Sequence, residues 1–100
     1  MKLSIIIPCL NEAELLPALL SRIKITSTTN YEIIVVDANS TDKTADIALE
    51  HNALLIQSSI ARRSIQMDMG AKVATGDVLF FIHADSIPPQ NFLEDIKTAV

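Results

Sequence analysis

The sequence holds one cysteine, two glycines and no basic excess, and each shortage removes a class of function. Cys9 alone cannot form an internal disulfide, and no Cys/His cluster has zinc-ligand spacing. A lone thiol favours a reducing compartment. The glycines are Gly70 and Gly76. Neither builds a G-x-G-x-x-G turn after the first strand or a G-x-x-x-x-G-K-[ST] loop, so a dinucleotide dehydrogenase and a P-loop enzyme are both poor fits. Eight Lys and Arg stand against 12 Asp and Glu, for a net charge of -4. Nucleic acid is therefore not an expected partner, since a polyanion backbone calls for clustered cations. A small nucleotide stays open, because one metal ion and a few local donors can neutralise a diphosphate. Long apolar runs are also missing. Leu3 to Ile7 and Val78 to Ile82 are strand length, well short of the roughly 20 residues a membrane helix needs. Lys2 precedes no cleavable signal-peptide pattern. The expected setting is cytoplasmic, with no transmembrane segment.

What is present is one small domain's worth of chain, 100 residues with about half of them apolar. A strand followed by a helix recurs along it. Strands are expected at 3–8, 32–37, 53–56 and 78–82, each nearly continuous in apolar residues, as strands covered on both faces are. Leu15, Leu16, Leu19, Leu20 and Ile23 recur at helical spacing. Asn11 is placed to cap that helix, with Glu14 completing a capping box. Pro17 lies too deep for that start, so the helix either begins late or kinks. Asp42 or Ser40 can cap a second helix that runs through Glu50. A third is expected over 64–74, stopped by Gly76. Phe92, Leu93, Ile96 and Val100 mark a last one, which reaches the chain end without a Gly or Pro stop. Apolar strands alternating with amphipathic helices imply an α/β fold, an open parallel sheet with helices on both faces.

In such sheets ligands bind beyond the carboxyl ends of the strands. Pro8, Asn11 and Glu12 follow the first strand. Asp37, Asn39, Ser40 and Asp42 follow the second, Arg62 and Arg63 the third, and His83, Asp85 and Ser86 the fourth. Each alone is what a solvated loop would carry. Polar together, on strands that are otherwise greasy, they mark a candidate site. With no glycine-rich cradle, a bound diphosphate would need a hard cation on a carboxylate such as Asp85.

Three of these segments carry a resemblance. Ser4 to Pro8 with Asn11 and Glu12 resembles the opening of family 2 glycosyltransferases. Glu32 to Asp42 resembles their second strand and D-x-x-S-x-D turn. Gly76 to Asp85 resembles the strand that delivers their D-x-D metal motif. The likeness covers nearly the whole chain, and the order and spacing make the three specific together. Gln66 to Gly70 followed by His83-Ala84-Asp85 is also similar to a bacterial subgroup associated with arsenosugar biosynthesis.

The resemblance implies the GT-A form of the α/β fold, with strand order 3-2-1-4 and residues 1–100 forming the N-terminal, nucleotide-sugar-binding part of an incomplete domain. It implies a donor nucleotide site lined by Pro8, Asn11, Glu12, Asp37, Ser40, Arg63, Gln66, Asp68, Gly70 and His83. Asp42 would shape the turn, and Asp85 would hold Mn2+ or Mg2+ on the diphosphate. Asp37 and Asp85 would face one crevice across the end of the first strand. The implied reaction is sugar transfer from a nucleotide sugar, most often a UDP-sugar, to an acceptor hydroxyl, with inversion. The acceptor is unspecified, and the catalytic base is expected beyond Val100, with no catalytic residue inside this chain. Three positions depart from the pattern: His83 replaces the first Asp of D-x-D, Ala38-Asn39 replaces a pair that is often glycine or Asp-Gly, and Asp68 replaces an Asn.

Other functions fit less well. A phospho-receiver domain needs an acidic pair where Pro8-Cys9-Leu10 stands. A sugar-nucleotide pyrophosphorylase would open with a glycine-rich loop. The remaining alternative is a truncated, non-catalytic nucleotide-binding or assembly module, whose uncovered apolar sheet face would let it form homo-oligomers.

Overall fold

A computed structural model describes residues 2–25 and 30–86. The expected helix from Phe92 to Val100 lies outside them. The elements run β1 (Leu3–Cys9), α1 (Leu16–Ile25), β2 (Tyr31–Asp37), α2 (Thr44–Glu50), β3 (Leu54–Gln57), α3 (Arg63–Val73) and β4 (Val78–Phe81). The strands form one sheet in the order β3-β2-β1-β4, as expected. All three pairings are parallel.

The side-chain period of two sorts β1 and β2 onto the two faces. Leu3, Ile5, Ile7, Ile33 and Val35 pack under Leu16, Leu19, Leu20 and Ile23 of α1 and Ala48 of α2. Ile6, Ile34 and Val36 face the other way, towards Met69 and Ala71 of α3. Every residue of β1 is buried, which is why its sequence is apolar without alternation. Burying one such Leu or Ile is worth about 1.5–3 kcal/mol, so β1 and α1 anchor the sheet.

The first helix starts late, one of the two outcomes expected of Pro17; the caps of α1 and α2 and the stop of α3 differ from the sequence reading. The first helix begins at Leu16, and Pro17 falls in its first turn, where a missing N–H costs little. The carbonyl of Glu12 takes the amides of Leu15 and Leu16 at 3.2 and 2.8 Å. Asn11 does not cap this helix and forms no capping box with Glu14; its backbone is left-handed, at φ 55, and its side chain bonds elsewhere. Lys43, not Asp42 or Ser40, occupies the N-cap position of α2 and makes no side-chain cap. Gly76 is not the stop of α3. The helix ends at Val73, with Ala74 extended behind it.

Gly76 instead lets the chain press against β1. A Cβ there would lie 2.5 Å from Ser4 Oγ, 2.8 Å from Ser4 N and 2.9 Å from Lys2 O. At this N-terminal end of the sheet, Glu32 Oε2 accepts from Ser4 Oγ (2.5 Å), Thr75 N (2.7 Å) and Thr75 Oγ1 (3.1 Å). Gly76 N donates to Ser4 Oγ at 2.8 Å. Burial alone would raise the Glu32 pKa. The Ser4 hydroxyl, the two Thr75 donors and the Lys2 charge outweigh it and hold the carboxyl below its ordinary value.

Candidate functional site

The opposite end of the sheet carries the polar residues read from the sequence. Asp37 closes β2 and is only 1% exposed. Its Oδ1 accepts the Ser40 hydroxyl in a short hydrogen bond, and its Oδ2 accepts Ser40 N at 3.2 Å. With the Gln57 amide turned so that its nitrogen faces Asp37, it donates to Oδ2 at 3.2 Å. The Asp37 carbonyl also takes Ser58 N at 2.7 Å. The carboxylate is therefore the foundation of the turn that follows it.

From this turn a set of bonds reaches across to the loop after β1. Ser40 Oγ accepts Asn11 N at 2.8 Å. Thr44 Oγ1 accepts Glu12 N at 2.9 Å. Asp42 Oδ2 accepts Ala13 N at 3.1 Å, while its Oδ1 accepts Thr44 N at 3.0 Å and the Thr44 hydroxyl. Asn11 answers in the other direction, its Oδ1 accepting Thr41 N at 2.8 Å. With Oδ1 committed, what Asn11 can offer a ligand is its Nδ2 donor. Asn11 and Asn39 both adopt left-handed φ, 55 and 54, a region that Asn tolerates better than most residues. The Thr44 hydroxyl, then its backbone amide and that of Ala13, overcome burial and lower the Asp42 pKa.

Behind the loop, Gln66 of α3 is 4% exposed. Its Nε2 donates to Cys9 O at 3.0 Å and Val36 O at 2.9 Å. Gly70, one turn on, gives α3 its close approach, since a Cβ would meet Ile6 Cγ2 at 2.5 Å. Pro8 is buried inside β1, beside Val36. These three residues lie behind the loop and form the floor beneath it. Arg63, which opens α3, is exposed. So is Asp68, which pairs with Lys72 at 3.1 Å on the helix surface.

Asp85 is exposed and follows β4. It helps line a cavity of about 260 Å³ with Leu15, Ala18, Leu19, Arg22, Ala84 and Ser86. The strand order puts Asp37 and Asp85 on either side of the β1 end, but only Asp85 presents itself to solvent. His83 is half-buried, and its Nδ1 is the one buried side-chain N or O without a hydrogen-bond partner among the described residues. A larger hollow, about 540 Å³, opens at the other end of the sheet around Tyr31, Glu32, His51 and Asn52. It lies away from the strand carboxyl ends where this architecture binds ligands, so its size does not make it the better candidate. No group of three or more His, Cys, Asp or Glu able to hold a metal occurs among the described residues.

Thr44 and Gln57 belong to the site's framework and were not read from the sequence; Thr41, whose amide donates to Asn11 Oδ1, lies in the expected turn but was given no role there. The alternation of Asp42 and Thr44 beside Ser40 was an available signal for Thr44. Gln57 left no local signal, because its partner Asp37 lies on the neighbouring strand.

The profile described as glycosyl transferase family 2 matches residues 4–99. A PGL/p-HBAD biosynthesis glycosyltransferase of Mycobacterium bovis (strain BCG / Pasteur 1173P2) is 40% identical over 88 residues, covering 82% of this chain and 34% of that protein. The chain thus spans about a third of the length of the curated relatives it matches. Among solved structures, S. aureus TarS 1-349 in complex with UDP superposes with a TM-score of 0.85 at 25% identity, covering 98% of this chain and 31% of that one. The mannosyltransferase PcManGT from Pyrobaculum calidifontis, in complex with GDP-Man and Mn2+, gives 0.83 at 25% identity, covering 91% and 30%. No helix among the described residues is long and apolar enough to cross a membrane.

Proposed function

Because the chain belongs to glycosyl transferase family 2, we propose that it supplies the nucleotide-sugar-binding part of an enzyme that transfers a sugar to an acceptor hydroxyl. The reading is carried by one observation. At the end of the central strand, a pinned loop offers Asn11 and Glu12 on one side, and an exposed carboxylate, Asp85, stands on the other. Asp37, Ser40, Pro8, Gln66 and Gly70 shape the floor and wall from behind, and Arg63 and Asp68 stand on the exposed flank of α3. The nucleotides in the TarS and PcManGT complexes support a nucleoside diphosphate as the ligand class, and a UDP-sugar is the donor proposed. The setting proposed is cytoplasmic.

The residues present suit a divalent cation. Asp85 is exposed just beyond β4, and His83 Nδ1 has no hydrogen-bond partner among the described residues. Mg2+ and Mn2+ sites in phosphoryl chemistry need only one or two protein ligands, with phosphate oxygens and water completing the shell. Asp85 would hold the ion, with His83 beside it. When bound, the cation would stabilise the charge that develops on the leaving diphosphate. The protein's own share is to hold the nucleotide between the Asn11–Glu12 loop and the β4 end, so that the anomeric carbon is open to an acceptor oxygen from the opposite face, the geometry of inversion. The proposal gives this chain donor binding and assigns the general base to none of its described residues. That division also fits a non-catalytic nucleotide-binding module, and a transfer assay on the same protein separates the two.

Calorimetric titration of UDP, with and without Mn2+, tests the proposal. Asp85→Asn keeps the shape and removes the charge, so Mn2+-dependent binding should weaken by roughly 1–3 kcal/mol, the size of a lost charged contact. His83→Ala should cost less. If Asp85→Asn binds UDP with Mn2+ as tightly as the wild type, the metal assignment is wrong.

A further inference from the structure

Three consecutive main-chain donors in the loop after β1 are already used. Asn11 N goes to Ser40 Oγ, Glu12 N to Thr44 Oγ1 and Ala13 N to Asp42 Oδ2, at 2.8, 2.9 and 3.1 Å. A run of free amides at this point would be a ready anion cradle. Here the protein's own side chains fill it, so the loop has no main-chain donor left at these positions for a phosphate.

Two of the three bonds pass through a hydroxyl, and in both the direction of the proton is forced. A hydroxyl has one hydrogen. Thr44 gives its hydrogen to Asp42 Oδ1, so its oxygen is free to accept Glu12 N–H. Ser40 gives its hydrogen to Asp37 Oδ1 and accepts Asn11 N–H in the same way. Each carboxylate thus orients a hydroxyl, and each hydroxyl fixes one loop amide. Thr44 is fully buried, so no water can stand in for it without the packing opening.

We propose that Thr44 is a positioning residue: oriented by Asp42, its hydroxyl fixes the Glu12 backbone and, with the Ser40–Asn11 pair beside it, sets the loop that reads the donor nucleotide. The clamp rests on the hydrogen bonds alone. Its consequence for the nucleotide rests on the donor-site reading above. The clamp also explains why a loop of six residues, Leu10 to Leu15, serves as a rigid wall without a glycine.

Thr44→Val keeps the shape and removes the hydroxyl, whereas Thr44→Ser keeps the hydroxyl. Amide hydrogen exchange on the ¹⁵N-labelled chain should show Glu12 accelerated about tenfold or more in the valine variant, the scale of one lost hydrogen bond. Asn11 N–H, held by Ser40, should change less, and serine should restore Glu12 protection. Asp42→Asn changes an exposed residue, so it spares folding if valine does not, and should accelerate both Glu12 and Ala13. In a UDP titration with Mn2+, the valine variant should lose about tenfold in affinity, with serine recovering it. Unchanged Glu12 exchange in both Thr44→Val and Asp42→Asn would overturn the clamp. Faster exchange with unchanged UDP affinity would leave the clamp a purely structural brace and overturn the positioning role. A wild-type chain that does not bind UDP would sink the donor-site reading and the positioning role with it, while the exchange data would still decide the clamp.

Discussion

The side-chain amide of Gln66 donates to the carbonyl of Cys9 at 3.0 Å, and the same nitrogen reaches the carbonyl of Val36 at 2.9 Å. One NH2 group therefore ties α3 to the ends of two adjacent strands. Gln66→Leu should keep the volume and lose both bonds. It should destabilise the fold by about 1–3 kcal/mol, since buried carbonyls lose a donor that water cannot replace. A urea midpoint shifted without a change in slope checks this.

Two glycines sit where a methyl group has no room, for unequal reasons. At Gly70 the added Cβ meets a side-chain methyl, Ile6 Cγ2, at 2.5 Å. At Gly76 it meets backbone as well, Ser4 N and Lys2 O, at 2.8 and 2.9 Å. A side chain can change rotamer and a strand backbone cannot. Gly70→Ala should therefore cost about 1–3 kcal/mol, and Gly76→Ala should cost more. Thermal unfolding of the pair gives the ranking, and equal melting temperatures would contradict it.

The acid side of the stability curve should depend on Glu32. Its carboxyl is held below 4.5, because donors from Ser4 and Thr75 and the Lys2 charge outweigh burial. As pH falls through 4.5, the unfolded chain takes up a proton that the folded chain still refuses, so folding stability drops with falling pH. The contribution is complete above 4.5 and gone below the folded-state value. Glu32→Gln should flatten this limb of a plot of denaturation midpoint against pH. An unchanged slope between the two proteins would show that Glu32 is not the linked group.

Cys9 should be chemically silent in the folded protein. Burial first, and then the charges of Glu12, Asp37 and Asp42, push its thiol up to about 12. The thiolate is the reacting species, and 2% exposure leaves no path to it. Iodoacetamide labelling near neutral pH should proceed only at the rate of unfolding and accelerate in denaturant. Rapid labelling of the native chain would mean that the end of β1 opens locally.

The strands were legible because their apolar runs are local and unbroken. Leu3 to Ile7 could be little else, and the alternation with helical spacing implied the parallel pairing that the structure shows, while the strand order came from the family resemblance. Non-local bonds defeated the finer reading. Asn11 resembles a helix cap when read beside Leu15, but its side chain bonds Thr41, 30 residues away. Gly76 resembles a helix stop, but the reason for it is the backbone of Lys2 and Ser4. At the site, Asp37, Ser40 and Asp42 were recognisable as a motif. The side-chain chemistry they perform on one another and on the next loop was not, because it depends on which hydrogen each hydroxyl gives away.

The central strand has a consequence for how the chain is made. Leu3 pairs with Tyr31 on one side and with Val78 on the other. β1 is synthesised well before β4, so it must wait for nearly the whole described segment before its second neighbour exists. Such sequence-distant pairing slows folding, because loops must close before contacts repay them. In the meantime a strand apolar but for Ser4 stands with one edge bare, which is the condition under which nascent chains associate wrongly. Synthesis that pauses between Gln57 and Val78 should raise the fraction of aggregated product, and the same pause placed after β4 should not.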